Sequence, residues 1–375
     1  MSGHWAIFSD NNANKSGIIN TLLKGVPPLG LESLTGLRGV LFSKSALERL
    51  MDEEERHDKK IVAPESEQSL RSMSSGEQKK ELLNYLFNNR PDFIILDNPF
   101  DNLDIASQTK LTETLKSKAK DMLFVQLVSR KTDLLPFITH YARLEKEKLL
   151  VHNDLKEIFG SEDTLLFTGE IPLPLHASEY DDDILIHLNS INVYFGNKAV
   201  LKNINWKIKK GEFWQLIGKN GSGKTTLLSM LTGENSKGYG QELFLFGKKK
   251  GSGESIWDIK KRIGYFTPSM TDKFTGYHSI ENMLISGLND SIGLYIRPTE
   301  AQLRLAKEWL IVINMWKIKD TRFHDLSMGQ KRLVMTVRAM IKHPFLLILD
   351  EPTAGLDDAS AQLLVTLVNK IAKES

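Results

Sequence analysis

Two short apolar runs, 93–96 (PheIleIleLeu) and 345–349 (PheLeuLeuIleLeu), each end on an aspartate, Asp97 and Asp350. Unbroken apolar runs of this length predict fully buried strands of a largely parallel sheet. Helical spacing precedes both: Leu82, Leu83, Leu86 and Phe87 before the first, Leu333, Val337 and Met340 before the second. Asn88–Pro91 and His343–Pro344 should end those helices, because proline cannot continue the hydrogen-bond ladder and restricts its predecessor. Elsewhere the pattern predicts strands over Ile184–Val193 and Phe213–Ile217. It predicts helices over Thr225–Leu231, Ala301–Ile313 and Ser360–Lys373.

The runs belong to an internal repeat. Met73–Asp104 and Leu326–Asp357 match without a gap at a constant offset of 253 positions, including Pro91/Pro344, Asp97/Asp350 and Asp104/Asp357. A second pair, Trp5–Ser16 and Trp214–Thr225, matches at an offset of 209, and both tryptophans are expected to pack beneath the loops that follow them. The first copy is therefore shorter through its middle, whereas the second keeps a helical insert around 271–326. The fold expected is α/β, two domains in tandem, the first compact and degenerate. We place them at 1–168 and 184–375, with 169–183 as an extended, proline- and acid-containing linker. Lys15 lies close to the start and Asp357 close to the end, so both modules read as truncated at their outer ends.

Composition narrows the class without naming a partner. The 375 residues hold 49 Lys plus Arg against 47 Asp plus Glu, a net charge of +2 that neither requires nor forbids nucleic acid. Cysteine is absent, which excludes disulfides and cysteine-ligated zinc. No apolar run is long enough to span a bilayer, and MSGHWAIF lacks a signal-peptide pattern. A cytoplasmic location is expected, with room for peripheral docking at the inner face of a membrane.

The chemistry concentrates in the second copy. Gly218 to Thr225 reads GKNGSGKT, a complete GxxxxGK[ST] loop in strand–loop–helix context. Its backbone N–H groups and the helix start suit phosphate oxygens, with Asn220, Gly221, Ser222, Gly223 and Thr226 forming the cradle. Lys224 should reach the terminal phosphates, and the Thr225 hydroxyl should ligate Mg²⁺. Asp350, at a strand end, suits a magnesium-bound water, and Glu351 has the chemistry of a general base. The first copy reads SDNNANKS at Ser9–Ser16, keeping Lys15 and Ser16 but placing Asn14 where the second has Gly223. Asn98 replaces Glu351 and cannot accept a proton as a carboxylate does. Asn14 in place of a loop glycine makes close phosphate approach harder, although asparagine tolerates left-handed geometry better than most residues.

With Leu326-Ser-Met-Gly-Gln and Ala354-Gly-Leu-Asp357 arriving in this order, the chain resembles the ATP-binding cassette superfamily over nearly its whole length. EFWQLIGKNGSGKTTLL and the paired layout are similar to its fused tandem ATPases of molybdenum-transport or photorepair type. The resemblance implies ATP and Mg²⁺, and two composite sites, each P-loop closed by the signature loop of the other domain. The working site would then pair 218–226, Asp350 and Glu351 with Ser74, Ser75, Gly76, Glu77 and Gln78. The worn site would pair Lys15, Ser16, Asp97 and Asn98 with Ser327, Gly329 and Gln330. Phe195 matches the family's adenine-stacking aromatic, Tyr194 being its neighbour; the plain alternative is an ordinary strand aromatic. The chain departs from the family at 262–270, which has no glutamine and leaves Thr267 or Ser269 in that place, and at Ser129, where a switch histidine is usual.

Three functions fit these residues. One is an ATPase driving a transport system, with membrane permease subunits and molybdate as candidate cargo. The second is a soluble ATP-dependent switch acting on nucleic acid, including repair, and the third a low-turnover nucleotide-binding interaction protein.

Overall fold

The computed structural model describes residues 3–10, 13–159, 167, 169–176, 179–274 and 276–375. Asn11 and Asn12 of the first loop, and the expected boundary at 168, lie outside the described residues. The chain forms two compact units, Met1–Thr164 with Gly355–Asp358, and Leu165–Ala354 with Ala359–Ser375.

In the first unit the order is β1 (Trp5–Ser9), α1 (Lys15–Leu23), β2 (Gly39–Phe42), α2 (Lys44–His57), α3 (Ser75–Asn88), β3 (Phe93–Asp97) and α4 (Ile105–Lys118). β4 (Leu123–Val128), β5 (His140–Glu145), β6 (Lys148–His152) and α5 (Leu155–Ile158) follow. One six-stranded sheet results, ordered β2-β3-β4-β1-β5-β6, parallel except for the β5–β6 hairpin. The central strands β1 and β3 are apolar on both faces because each face carries a core. Ala6, Phe8, Ile94 and Leu96 join one cluster, and Trp5, Ile7, Phe93 and Ile95 the other. Period-two alternation thus divides each run between two helical layers.

The second unit contains β7 (Ile184–Phe195), β8 (Lys198–Lys209), α6 (Lys224–Leu231), β9 (Glu242–Leu245), β10 (Lys248–Lys249), α7 (Ile256–Arg262), β11 (Ile263–Phe266) and α8 (Pro268–Lys273). It continues through α9 (Ile280–Ser286), α10 (Glu300–Val312), α11 (Met328–Met340), β12 (Leu346–Leu349) and α12 (Asp358–Glu374). An antiparallel sheet runs β10-β9-β7-β8, and β11 pairs with β12 in parallel. The insert helix α10 buries Leu305, Ala306, Trp309, Leu310 and Val312, the stripe its sequence foretold.

Two expectations fail here. Residues 213–217 form no strand, and Ile217 is 76 % exposed. Trp214 does not pack beneath the loop; it is 52 % exposed, edge-on to Trp206, with its Nε1 donating to Glu212 at 2.9 Å. Trp5, by contrast, is buried in β1. The cause is pairing: β1 lies between β4 and β5, whereas among the described residues no strand of the second unit flanks 213–217. Without a ladder on either side, an apolar run has nothing to satisfy its backbone. For the same reason β12 is only partly buried, while the first four residues of β3 are fully so.

The expected linker is not wholly solvated. Tyr180 packs 5.6 Å from Phe345 and 6.0 Å from Phe246, and its hydroxyl donates to Ile184 O. An aromatic body with a polar tip anchors this stretch to the second unit.

Candidate functional site

α6 starts without a cap of its own. Its N-cap is Gly223, with φ 92°, no side-chain hydrogen bond and no acidic residue in the first turn. A Cβ at this position would sit 2.7 Å from Leu201 Cδ2, so both conformation and space demand glycine. The first N–H groups of α6 and its positive end are left for an external anion. Gly221 is also left-handed, with open space around it. Lys224 Nζ donates to Gly218 O at 2.7 Å and Lys219 O at 3.2 Å, so the loop wraps its own lysine. Asn220, Ser222, Thr225 and Thr226 lie along the same loop and first turn.

Asp350 follows β12 directly, and its N–H donates to Phe266 O at 2.9 Å. Burial pushes its carboxyl above the usual range, Glu351 adds to the rise, and Lys224 opposes it. Glu351 is exposed and left-handed, with φ 48°. Thr225 and Asp350 supply hard oxygens of the kind Mg²⁺ takes alongside waters and phosphate. Among the described residues no group of three or more His, Cys, Asp or Glu side chains is placed to hold a metal ion. Phe195 ends β7, half exposed, with Lys237 Nζ 5.7 Å from its ring centre, and Tyr194 beside it is equally exposed.

The first unit presents the opposite arrangement. Asn14 Oδ1 accepts from Gly17 N–H at 3.0 Å and from Ser16 Oγ at 2.8 Å, capping α1 from within. Its φ is −77°, so it does not adopt the glycine-like conformation that its residue type permits. The cap is the physical reason: accepting from Gly17 N–H holds the residue outside the left-handed region. Lys15 Nζ donates to Ser129 Oγ at 3.1 Å and lies 3.8 Å from Asp97. Burial raises the Asp97 carboxyl, and Lys15 partly offsets that. Asn98 keeps φ 44°.

Both signature segments form reciprocal caps. Ser74 caps α3, accepting from Glu77 N–H, while the Glu77 carboxylate accepts from Ser74 N–H at 2.8 Å and Ser74 Oγ at 2.7 Å. Those bonds hold the Glu77 carboxyl below its usual range. Ser75 Oγ donates to Asn102 O, and Gln78 Nε2 to Leu70 O. Ser327 and Gln330 repeat the box at the start of α11. Gly76 and Gly329 each leave room for a serine of the next helix, Ser107 and Ser360, so a Cβ at Gly329 would collide with Ser360.

Two site neighbours escaped the sequence reading. The Tyr265 hydroxyl, bonded to Thr267, is pushed up to about 12 by burial and by Asp350 beside it. Arg332 is buried in α11 between the segments that follow β11 and β12. Only the repeat gave a signal for Arg332, since Lys79 stands 253 positions earlier.

Comparison with known proteins fits this geometry. Residues 201–354 match the ABC transporter family. A putative ABC transporter ATP-binding protein of Streptococcus mutans is 33 % identical over 189 residues, covering 50 % of this chain and 72 % of that relative. The chain belongs to the ATP-binding cassette family of P-loop ATPases. The ABC transporter ATP-binding protein ModF of Escherichia coli is 38 % identical over 316 residues, which are 80 % of this chain and 64 % of ModF. An uncharacterized ABC transporter ATP-binding protein of Schizosaccharomyces pombe is 30 % identical over 319 residues, 80 % of this chain and 63 % of that protein. The chain thus spans just under two thirds of the length of these two cassette relatives. A solved complex of an archaeal ribosomal stalk protein with the ribosome recycling factor aABCE1 aligns with 99 % of the chain and 78 % of the matched one, at TM-score 0.60 and 17 % identity. That likeness concerns the fold alone. The family binds ATP with Mg²⁺. Among the described residues no helix is long and apolar enough to cross a membrane.

Proposed function

We propose that the chain is the nucleotide-binding engine of a transport system, hydrolysing ATP in the second unit alone. The observation that carries this reading is the contrast between two helix starts: Gly223 leaves α6 open to phosphate, and Asn14 seals α1. Gly218–Thr226 hold the triphosphate, Thr225 and Asp350 hold Mg²⁺, Glu351 draws the proton from the attacking water, and Phe195 stacks on adenine. The signature segment Ser74–Gln78 closes this site, as the family resemblance implies, and Ser327–Gln330 serve the worn one. Domains at 1–168 and 184–375 with a linker at 169–183 remain the division we favour. Molybdate is the cargo we assign, from the likeness of EFWQLIGKNGSGKTTLL to molybdenum-transport ATPases, with membrane permease subunits as partners at the inner face and the chain itself cytoplasmic. Steady-state ATPase rates of the wild type and Glu351→Gln test the central claim. Loss of the base should lower turnover roughly 10²–10⁴-fold, and equal rates would remove Glu351 from the mechanism.

A further inference from the structure

Arg332 lies 5 % exposed in α11, its guanidinium carbon 5.5 Å from the centre of the Phe266 ring. Nη1 donates to Thr271 Oγ1 at 2.8 Å and to Pro268 O at 3.4 Å, and Nη2 donates to Ala354 O at 3.3 Å. These acceptors belong to two different segments, α8 and the loop after β12. β11 and β12 run parallel with Phe266 opposite Leu349, so 267–271 and 350–354 leave adjacent strand ends. The second loop begins with Asp350 and Glu351.

The repeat provides an internal comparison. Lys79, the counterpart of Arg332 in α3, donates from Nζ to Pro99 O at 2.8 Å and Asp101 O at 2.6 Å. Asp101 is the counterpart of Ala354, so both copies bury a cation against the same carbonyl of the same loop. Both Lys79 acceptors lie in the loop after β3, the one that carries Asn98. The copy with the carboxylate pair has a planar, five-donor fork at this position, and the copy without it has a point charge. A fork can hold two segments at a set spacing, whereas an ammonium has no such fixed geometry.

We propose that Arg332 is a positioning residue for hydrolysis, fixing the distance between the loop that bears Asp350 and Glu351 and the 268–271 segment. The inference rests on reading the second unit as the site of turnover. Misplacement of reacting groups by a fraction of an ångström to an ångström costs on the order of 10- to 100-fold in rate. Lysine at 332 keeps the grip on Ala354 that Lys79 shows in its own copy, and loses the arm to Thr271.

The test uses the full chain with Arg332→Lys, Thr271→Val and the double variant, scored for kcat, KM for ATP and thermal midpoint. Each single variant should lower kcat about tenfold or more at unchanged KM while the protein stays folded at the assay temperature, and the double variant should fall no further than Arg332→Lys. Wild-type kcat in both singles overturns the proposal, as does a double variant whose losses multiply. If Arg332→Lys does not fold, Thr271→Val decides alone. Glu351→Gln run in parallel separates the two claims, because wild-type turnover there defeats the ATPase assignment rather than the role of Arg332.

Discussion

Glu351 and Asn98 occupy the same left-handed backbone conformation, φ 48° and 44°, at equivalent positions of the repeat. His343 and Arg90 share it too, at 50° and 46°, as do Gly355 and Asn102 at 72° and 60°. Asparagine enters this region readily and glutamate does not. The conformation therefore belongs to the shared architecture, and Glu351 accepts a strained backbone that Asn98 meets at little cost.

Because the geometry is common to both copies, adding a carboxylate at 98 is sterically permitted yet should not create a second engine. The Asn98→Glu, Glu351→Gln double variant should hydrolyse ATP no faster than Glu351→Gln. Turnover rising above that residual rate would show that Asn14 and Lys15 do not block the first copy.

With Asp350 holding Mg²⁺ as proposed, magnesium-nucleotide affinity should have an acid limit. Its carboxyl is raised above the ordinary 3.8 by burial and by Glu351. As pH falls through that raised value Asp350 protonates and its claim on Mg²⁺ is lost, at a higher pH than for a solvated aspartate. Glu351→Gln removes one of the raising charges, so the acid midpoint of Mg·ATP affinity should move down. A midpoint that stays put, measured by calorimetric titration across pH, rules out coupling between the two carboxyls.

Lys79 gives the first unit a stability that rises in alkali. Burial lowers it from 10.5 to about 8, with Asp101 opposing. Between those values the unfolded chain holds a proton that the folded chain has released, so stability climbs with pH across that window. Below about 8 both states are charged and the burial cost is present in full. Urea midpoints at pH 7, 9 and 10 should show the climb, and Lys79→Met should flatten it. An unchanged slope in that variant places the alkaline effect elsewhere.

Asn14 should matter for folding rather than for phosphate. Asn14→Ala removes the bonds from Gly17 N–H and Ser16 Oγ. Losing an N-cap of this kind costs about 1 kcal/mol. Urea unfolding should register that loss, while kcat for ATP stays at the wild-type value. A fall in turnover with no change in stability would mean the residue touches nucleotide.

The sequence made local geometry legible where it is written in consecutive residues. Gly223, Lys224 and Thr225 fix a loop by local rules, and Asp350 announces itself by closing an apolar run. The repeat register also survives intact, down to capping boxes at Ser74–Glu77 and Ser327–Gln330. The failure at Phe213–Ile217 has a plain cause: apolarity makes a segment eligible for a sheet, and only neighbouring strands make it one. Tyr265 was invisible because its nearness to Asp350 comes from two strands far apart in sequence lying side by side. Arg332 and Lys79 could be aligned by eye, but which carbonyls they hold is a property of folded loops.

The sealed start of α1 has one more consequence. A helix start that supplies its own acceptor needs no anion from outside, so the first turn of α1 should hold with or without nucleotide. The glycine-started α6 has no such side-chain acceptor of its own.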